Sequence, residues 1–278
     1  MSVTAWVGTS GFSFPEWKGP FYPEKLAARD MLRYYAERFP TVEINNTFYQ
    51  LPREPVLRGW AEQVPERFAF VLKASRFITH IRRLKDSADS LRLLFGLAQA
   101  LGPRLGPVLF QLPPNMQKDV PRLAAFLRDV PKDRRVAIEF RHASWFDDEV
   151  FAVLRDAGAA LCVADTGEEP VAPLVATAEW GYLRLRREDF SDRELRAWAR
   201  RIGEQPWREA FVFLKHEEEG RGPQLAAKLM EYCGAQTPPA MTAPPEPAHA
   251  KGASARKPRA VKAAGSRPAP RKKGPGRT

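Results

Sequence analysis

Residues 136–142 read Val136-Ala137-Ile138-Glu139-Phe140-Arg141-His142. The run begins apolar and ends ionisable, and the two-residue period of an extended chain sets Glu139 and Arg141 on one face. Seven more β-rich runs begin near Val3, Thr41, Phe68, Pro107, Ala160, Trp180 and Ala210, so eight strands are expected, the fifth starting at Arg135. Between them lie apolar stripes at helical spacing: Leu32, Tyr35, Ala36 and Phe39; Leu57, Trp60, Ala61 and Val64; Leu91, Leu94, Phe95 and Ala98. Leu123, Phe126, Leu127 and Val130 repeat the spacing, as do Val150, Val153, Leu154 and Ala157, then Leu195, Trp198, Ala199 and Ile202. Ser191-Asp192-Arg193-Glu194 opens this last stripe as a capping box, and a final helix is expected from about Pro223 to Cys233.

Strand then helix, repeated, is the signature of parallel βα units. Eight units match closure into an α/β, (β/α)8 TIM barrel, and 278 residues with 44% hydrophobic content can build that core as one domain. An open doubly wound sheet is the competing architecture, but no Gly-rich dinucleotide fingerprint follows the first strand. One interval departs from the pattern. Residues 166–179, which include Pro170 and Pro173, are too short and broken for a full helix, so a degenerate sixth helix is expected.

The formal charge of +11 is unevenly distributed. Ten of the 44 Lys and Arg and one of the 33 Asp and Glu lie from Pro238 onward, which leaves 34 against 32, a net of +2, in the body. The basic segment is rich in Pro, Ala, Lys and Arg without apolar periodicity, and cannot bury enough surface to offset its ordering entropy. The expected division is a barrel over 1–236 and a disordered tail over 237–278. The start lacks a basic region followed by an apolar stretch, and nowhere do about eighteen uncharged apolar residues run together, so a cytoplasmic protein without membrane contact is expected. Cys162 and Cys233 lie far apart and read as reduced, structural thiols.

In such barrels the loops after the strands build the active site, so polar residues at strand ends take a functional reading first. Gly8-Thr9-Ser10-Gly11 ends strand one and leads into an aromatic loop with Trp17, Phe21 and Tyr22; Glu43, Asn45 and Asn46 follow on strand two. Lys73 ends strand three, Gln111 strand four, Asp165 strand six, and Lys215 and His216 strand eight, while Arg184 and Arg186 share one face of strand seven. Buried charges can simply pair and hold strands together. A ring of Glu43, Lys73, Glu139, Arg141, Asp165, Arg184 and Lys215 nevertheless sets four cations against three carboxylates, which points to an anionic ligand. A divalent-metal site from Glu43, Glu139, His142, Asp165 and His216 is conceivable but not favoured, because no HExxH or CxxC spacing is present. His216-Glu217-Glu218-Glu219 reads as a solvated loop, and Ser10 lacks a nucleophile elbow.

Gly8-Thr9-Ser10-Gly11, Trp17-Lys18-Gly19, Phe21-Tyr22-Pro23, Glu43-Ile44-Asn45-Asn46-Thr47-Phe48-Tyr49, Lys73 with Ile78-Thr79-His80, Gln111-Leu112-Pro113-Pro114, and Glu139-Phe140-Arg141-His142 with Ser144-Trp145 together resemble the YecE-like family, domain of unknown function 72. The likeness spans residues 3 to about 233. It implies a TIM barrel, similar in shape to xylose isomerase and endonuclease IV barrels, with shared polar positions at Glu43, Asn45, Asn46, Lys73, His80, Gln111, Glu139, Arg141, His142 and Asp165. The chain departs from the family pattern at Phe12, where relatives carry Tyr or Trp, at Arg184-Leu185-Arg186-Arg187, where they carry Arg-x-His-Gly, and at Lys215-His216, where others are Asn-rich.

Three functions follow as expectations. The leading one is an enzyme for a small anionic, phosphorylated substrate, with Glu43, Glu139, Asp165 and His142 as catalytic candidates. Asn45, Asn46, Lys73, His80, Gln111, Arg141, Arg184, Lys215, Trp17 and Tyr22 would bind the substrate. The second is metal-assisted phosphodiester hydrolysis of nucleic acid, as in endonuclease-like barrels. The third is a non-catalytic polyanion binder whose basic tail contacts nucleic acid.

Overall fold

The computed structural model describes residues 3–215 and 220–234. Eight parallel strands run in chain order: β1 (Thr4–Ser10), β2 (Thr41–Ile44), β3 (Ala69–Lys73), β4 (Leu105–Gln111), β5 (Val136–Glu139), β6 (Ala160–Asp165), β7 (Trp180–Leu185) and β8 (Glu209–Leu214). The ladder from Thr4↔Glu209 to Thr9↔Leu214 joins β1 to β8 and closes the barrel, which excludes the open doubly wound sheet. Each strand begins within two residues of its expected start. Seven helices pack outside: α1 (Met31–Ala36), α2 (Glu54–Glu62), α3 (Ala88–Ala98), α4 (Val120–Asp129), α5 (Asp148–Ala157), α6 (Asp192–Gly203) and α7 (Arg221–Tyr232).

Local chemistry sets these boundaries. Ser191 Oγ accepts from the Glu194 N–H while the Glu194 carboxylate accepts from the Ser191 N–H, the expected capping box of α6. α5 stops at Gly158, whose φ of 63° is the left-handed conformation that ends a helix. Between β6 and β7 no helix forms over residues 166–179. There the buried Thr177 hydroxyl accepts from Leu161 N–H and donates to the Ala159 carbonyl, both at 2.8 Å, tying an extended segment to β6.

The strands alternate, apart from a register shift between β3 and β4. One face packs on the helices, in clusters that include Val7, Leu32, Phe70 and Leu225 on one side and Leu94, Phe110, Ile138 and Leu154 on the other. The opposite face fills the barrel with Trp6, Ala69, Val71, Leu109, Ala137, Cys162, Trp180, Tyr182, Phe211 and Phe213. Gly8 permits the closest approach of β1 to β2, because a Cβ there would lie 2.1 Å from the Thr41 carbonyl oxygen. Into that gap fits the Tyr35 hydroxyl, which accepts from Thr9 N–H and donates to the Thr41 carbonyl, each at 2.9 Å.

Both cysteines are free, Cys162 inside the barrel and Cys233 half-buried on its outside. Among the described residues no helix is long and apolar enough to cross a membrane. The segment His216 to Glu219 and the basic tail from residue 235 lie outside the described residues.

Candidate functional site

Towards the strand C-termini the inward face changes character. The alternation that buries Ala69 and Val71 brings Lys73 inward, and likewise Ala137 is followed by Glu139 and Tyr182 by Arg184. Arg184 lies between two carboxylates: its Nη2 donates to Glu43 Oε1 and its Nη1 to Glu139 Oε2, both at 2.7 Å, and no side chain of the three is more than 1% exposed. Glu43 Oε1 also accepts from Ser10 Oγ at 2.7 Å and Asn45 Nδ2 at 3.2 Å, and its Oε2 from the Tyr182 hydroxyl at 2.7 Å. Glu139 Oε1 accepts from Gln111 Nε2 at 2.7 Å, and Gln111 in turn offers its Oε1 to Lys73 Nζ at 2.9 Å.

This network fixes protonation states. Burial by itself would raise the Glu43 pKa, but the Arg184 charge and the hydrogen bonds from Tyr182, Arg184 and Ser10 override it and bring it from 4.5 down to about 2. Glu139 experiences the same contest, burial against Arg184 and Gln111, and ends lowered. Both are fully buried, and each carboxylate oxygen already accepts a hydrogen bond. Lys73 moves the other way for a cation: burial, then repulsion from Arg184, overcomes the attraction of Glu139 and Glu43 and lowers it from 10.5 to about 8.

In front of this network opens a pocket of about 510 Å³, bounded by the loops after β1 and β2 and by the ends of β3, β7 and β8. Its cations are Lys73, Arg186 and Lys215; its other polar groups come from Ser10, Ser13, Asn45 and Asn46, and Phe12, Phe14, Phe48, Tyr49 and Trp60 supply aromatic walls. Among the described residues no carboxylate lines it. The half-buried Arg186 makes no side-chain hydrogen bond or ion pair with the described residues, and burial, followed by repulsion from Arg184, lowers its pKa. Gly11, with φ of 104°, turns the chain over the pocket where a Cβ would overlap the Phe14 ring.

Of the residues expected at the site, Asn45, Asn46, Lys73 and Lys215 line the pocket. Glu43, Gln111, Glu139 and Arg184 stand behind its wall, bonded to Ser10, Asn45 and Lys73. His80 sets its ring edge-on to Phe48, 4.9 Å between centroids, and the half-buried Arg141 adds to the positive field that lowers His80 after burial, Lys73 and Arg76. The rest are elsewhere. Trp17 and Tyr22, at 1% and 0% exposure, form the core of their own loop with Phe14 and Phe21 and present no face to a ligand. Asp165 accepts from Arg187 Nε at 3.1 Å and Trp198 Nε1 at 3.3 Å, pinning the end of β6 to α6. His142 Nδ1 accepts from Ser144 N–H at 3.2 Å and caps a short turn. Among the described residues no three His, Cys, Asp or Glu side chains converge as metal ligands; His216, the fifth member of the set considered, lies outside them. The reading of strand ends placed Arg186 on the face of Arg184 but left it out of the substrate-binding set, and it missed Tyr182 as a carboxylate donor.

A closed (β/α)8 barrel with a cation-lined pocket at the C-terminal ends of its strands is the class that fold and site define. The sequence matches the family described as Protein of unknown function DUF72 over residues 6–251, and the chain belongs to that family. It is 26% identical to UPF0759 protein YunF of Bacillus subtilis over 213 residues, 71% of this chain and 74% of that protein. It is 30% identical to UPF0759 protein YecE of Escherichia coli over 142 residues, about half of each chain. The crystal structure of a DUF72 family protein from Thermotoga maritima superposes with a TM-score of 0.74 at 27% identity, covering 82% of this chain and 98% of that one. An Enterococcus faecalis DUF72 protein, at 17% identity and TM-score 0.70 over 84% of this chain and 96% of that one, shares the fold.

Proposed function

We propose that the protein is an enzyme whose substrate is a small phosphorylated molecule, held in the mouth pocket with its anionic group on Lys73, Arg186 and Lys215. The observation that carries this reading is the half-buried Arg186 guanidinium, which has no side-chain partner among the described residues, in a pocket wall it shares with Lys73. A partly desolvated cation is costly without a counter-charge, and an incoming phosphate supplies one through the paired N–H donors that suit it. The volume of about 510 Å³ matches a sugar-phosphate-sized ligand, with the aromatic walls covering its apolar faces. Glu43 and Glu139 serve as fixed anions: both hold Arg184, and Glu139 positions Lys73 through Gln111.

The test is calorimetric titration of inorganic phosphate and glycerol phosphate into the full-length protein, alongside the Arg186→Gln variant. Binding that weakens with added salt and falls about tenfold in the variant supports the reading. Absence of binding by the wild type, or equal affinity in the variant, rejects it.

A further inference from the structure

The surroundings of Lys73 differ from those of a lysine that only balances charge. Its Nζ donates to the Gln111 side-chain carbonyl at 2.9 Å and lies 4.3 Å from the centroid of the Phe48 ring, and among the described residues it touches no carboxylate. The two acids nearby are already occupied, Glu43 by Ser10, Asn45, Tyr182 and Arg184, and Glu139 by Gln111 and Arg184. Gln111 is the spacer. Because its Nε2 is committed to Glu139, only its neutral oxygen faces Lys73, so the amine is fixed in direction without being locked as an ammonium ion. Its side chain reaches the pocket wall that also carries Arg186 and Lys215.

From this arrangement we propose that Lys73 forms an imine with an aldehyde or ketone that also carries the anionic group bound by Arg186 and Lys215, an inference that rests on the pocket being an anion site. The free amine adds to the carbonyl carbon, a C–N bond forms, and the nitrogen proton passes to the former carbonyl oxygen. The C–O bond then breaks, water departs after taking one further proton from the medium, and the nitrogen lone pair completes a C=N bond. Amine, carbonyl compound and one proton become iminium ion and water. The iminium draws electrons from the adjacent carbon, which suits the pocket to proton loss or carbon–carbon bond cleavage there. Burial and the neighbouring Arg184 charge bring the ammonium down to about 8, so the nucleophilic amine is more accessible there than in an ordinary lysine.

The probe is pyridoxal 5′-phosphate, which joins an aldehyde to a phosphate, with pyridoxal as its phosphate-free counterpart. Each is added at equimolar ratio to the full-length protein at pH 8, reduced with borohydride, and the labelled lysine located by peptide mass spectrometry. The expected result is label concentrated on Lys73, loss of that label in Lys73→Met, and a fall of at least tenfold in labelling by pyridoxal phosphate, but not by pyridoxal, in Arg186→Gln. Label on other lysines with Lys73 untouched, in wild-type protein that binds inorganic phosphate, overturns the imine and leaves the anion site standing. Equal labelling of Lys73 by both probes in wild type and Arg186→Gln keeps the amine reactive but overturns the anion site on which the proposal rests. Because the wild-type label map decides the first point, failure of Lys73→Met to fold does not protect the proposal.

Discussion

The two ends of the barrel interior are built from the same alternation and differ in what they bury. At the N-terminal end Trp6 stacks on Phe211 with centroids 5.5 Å apart, Trp180 meets the same ring edge-on, and the polar closure is peripheral. Trp6 Nε1 donates to Glu209, which also pairs with Arg135, both acid and base keeping 14–20% of their side-chain surface in water. At the C-terminal end the charges are the interior: Glu43, Glu139 and Arg184 are buried, the Arg184 Nε has no hydrogen-bond partner among the described residues, and Lys73, Arg186 and Lys215 stand in front. One end is filled for stability alone. The other accepts desolvated charge, the condition under which an incoming anion gains most.

The largest expected effect falls on that contrast. Arg184→Ala leaves Glu43 and Glu139 buried without their cation and should cost about 3–5 kcal/mol in urea unfolding, together with phosphate binding. Trp6→Ala should cost a similar ~3–5 kcal/mol by opening a cavity, yet leave phosphate affinity within about twofold; if both variants lose binding alike, the two ends are not functionally distinct.

Acid should act through the mouth. The folded Glu43 pKa lies near 2, below the ordinary 4.5, so its stabilising contribution is complete above pH 4.5 and is lost as pH falls towards 2, a loss on the order of 3 kcal/mol. An unfolding series from pH 6 to pH 2 measures it, and the Glu43→Gln variant should be flatter. The alkaline limb runs the other way, with a span comparable to that of Glu43. With the folded Lys73 pKa lowered to about 8, the unfolded chain binds more protons between pH 8 and 10.5, so stability contributed by this group rises with pH there. Saturating phosphate should suppress that rise, because a bound anion favours the ammonium form. A smaller change is expected from Arg186→Gln: phosphate affinity falls about tenfold, ~1.4 kcal/mol, while the unliganded protein is as stable as wild type or slightly more so.

Much of the fold was legible because buried parallel strands and amphipathic helices leave different periods in the sequence, and the proline-broken interval 166–179 advertised its missing helix. Which face a residue occupies follows from the same alternation, so the ring of charged strand ends was readable too. Pairing was not. Arg184 and Glu43 are separated by 141 positions, and nothing local says that Arg184 bridges two carboxylates while Gln111 insulates Lys73 from one. The aromatic loop failed for a related reason: Trp17 and Tyr22 look like ligand platforms in sequence, and only the loop's self-packing shows that they are its core.

The strand without its helix has a further meaning in time. β6 pairs with β5 through only two register pairs, Ala137↔Ala160 and Ile138↔Leu161, whereas β1 and β8 share six. On its other flank β6 shares four register pairs with β7, and the Thr177 side chain ties residues 166–179 to it where other strands are followed by a helix. A closed ring opens at its weakest joint, so amide exchange should begin along β5 and β6 while the β8–β1 joint is still protected. The barrel would then unclasp away from the β1 and β2 loops that frame the pocket but at the strand that carries Glu139, so the Glu139 bonds to Arg184 and Gln111 would be among the first parts of the site to loosen.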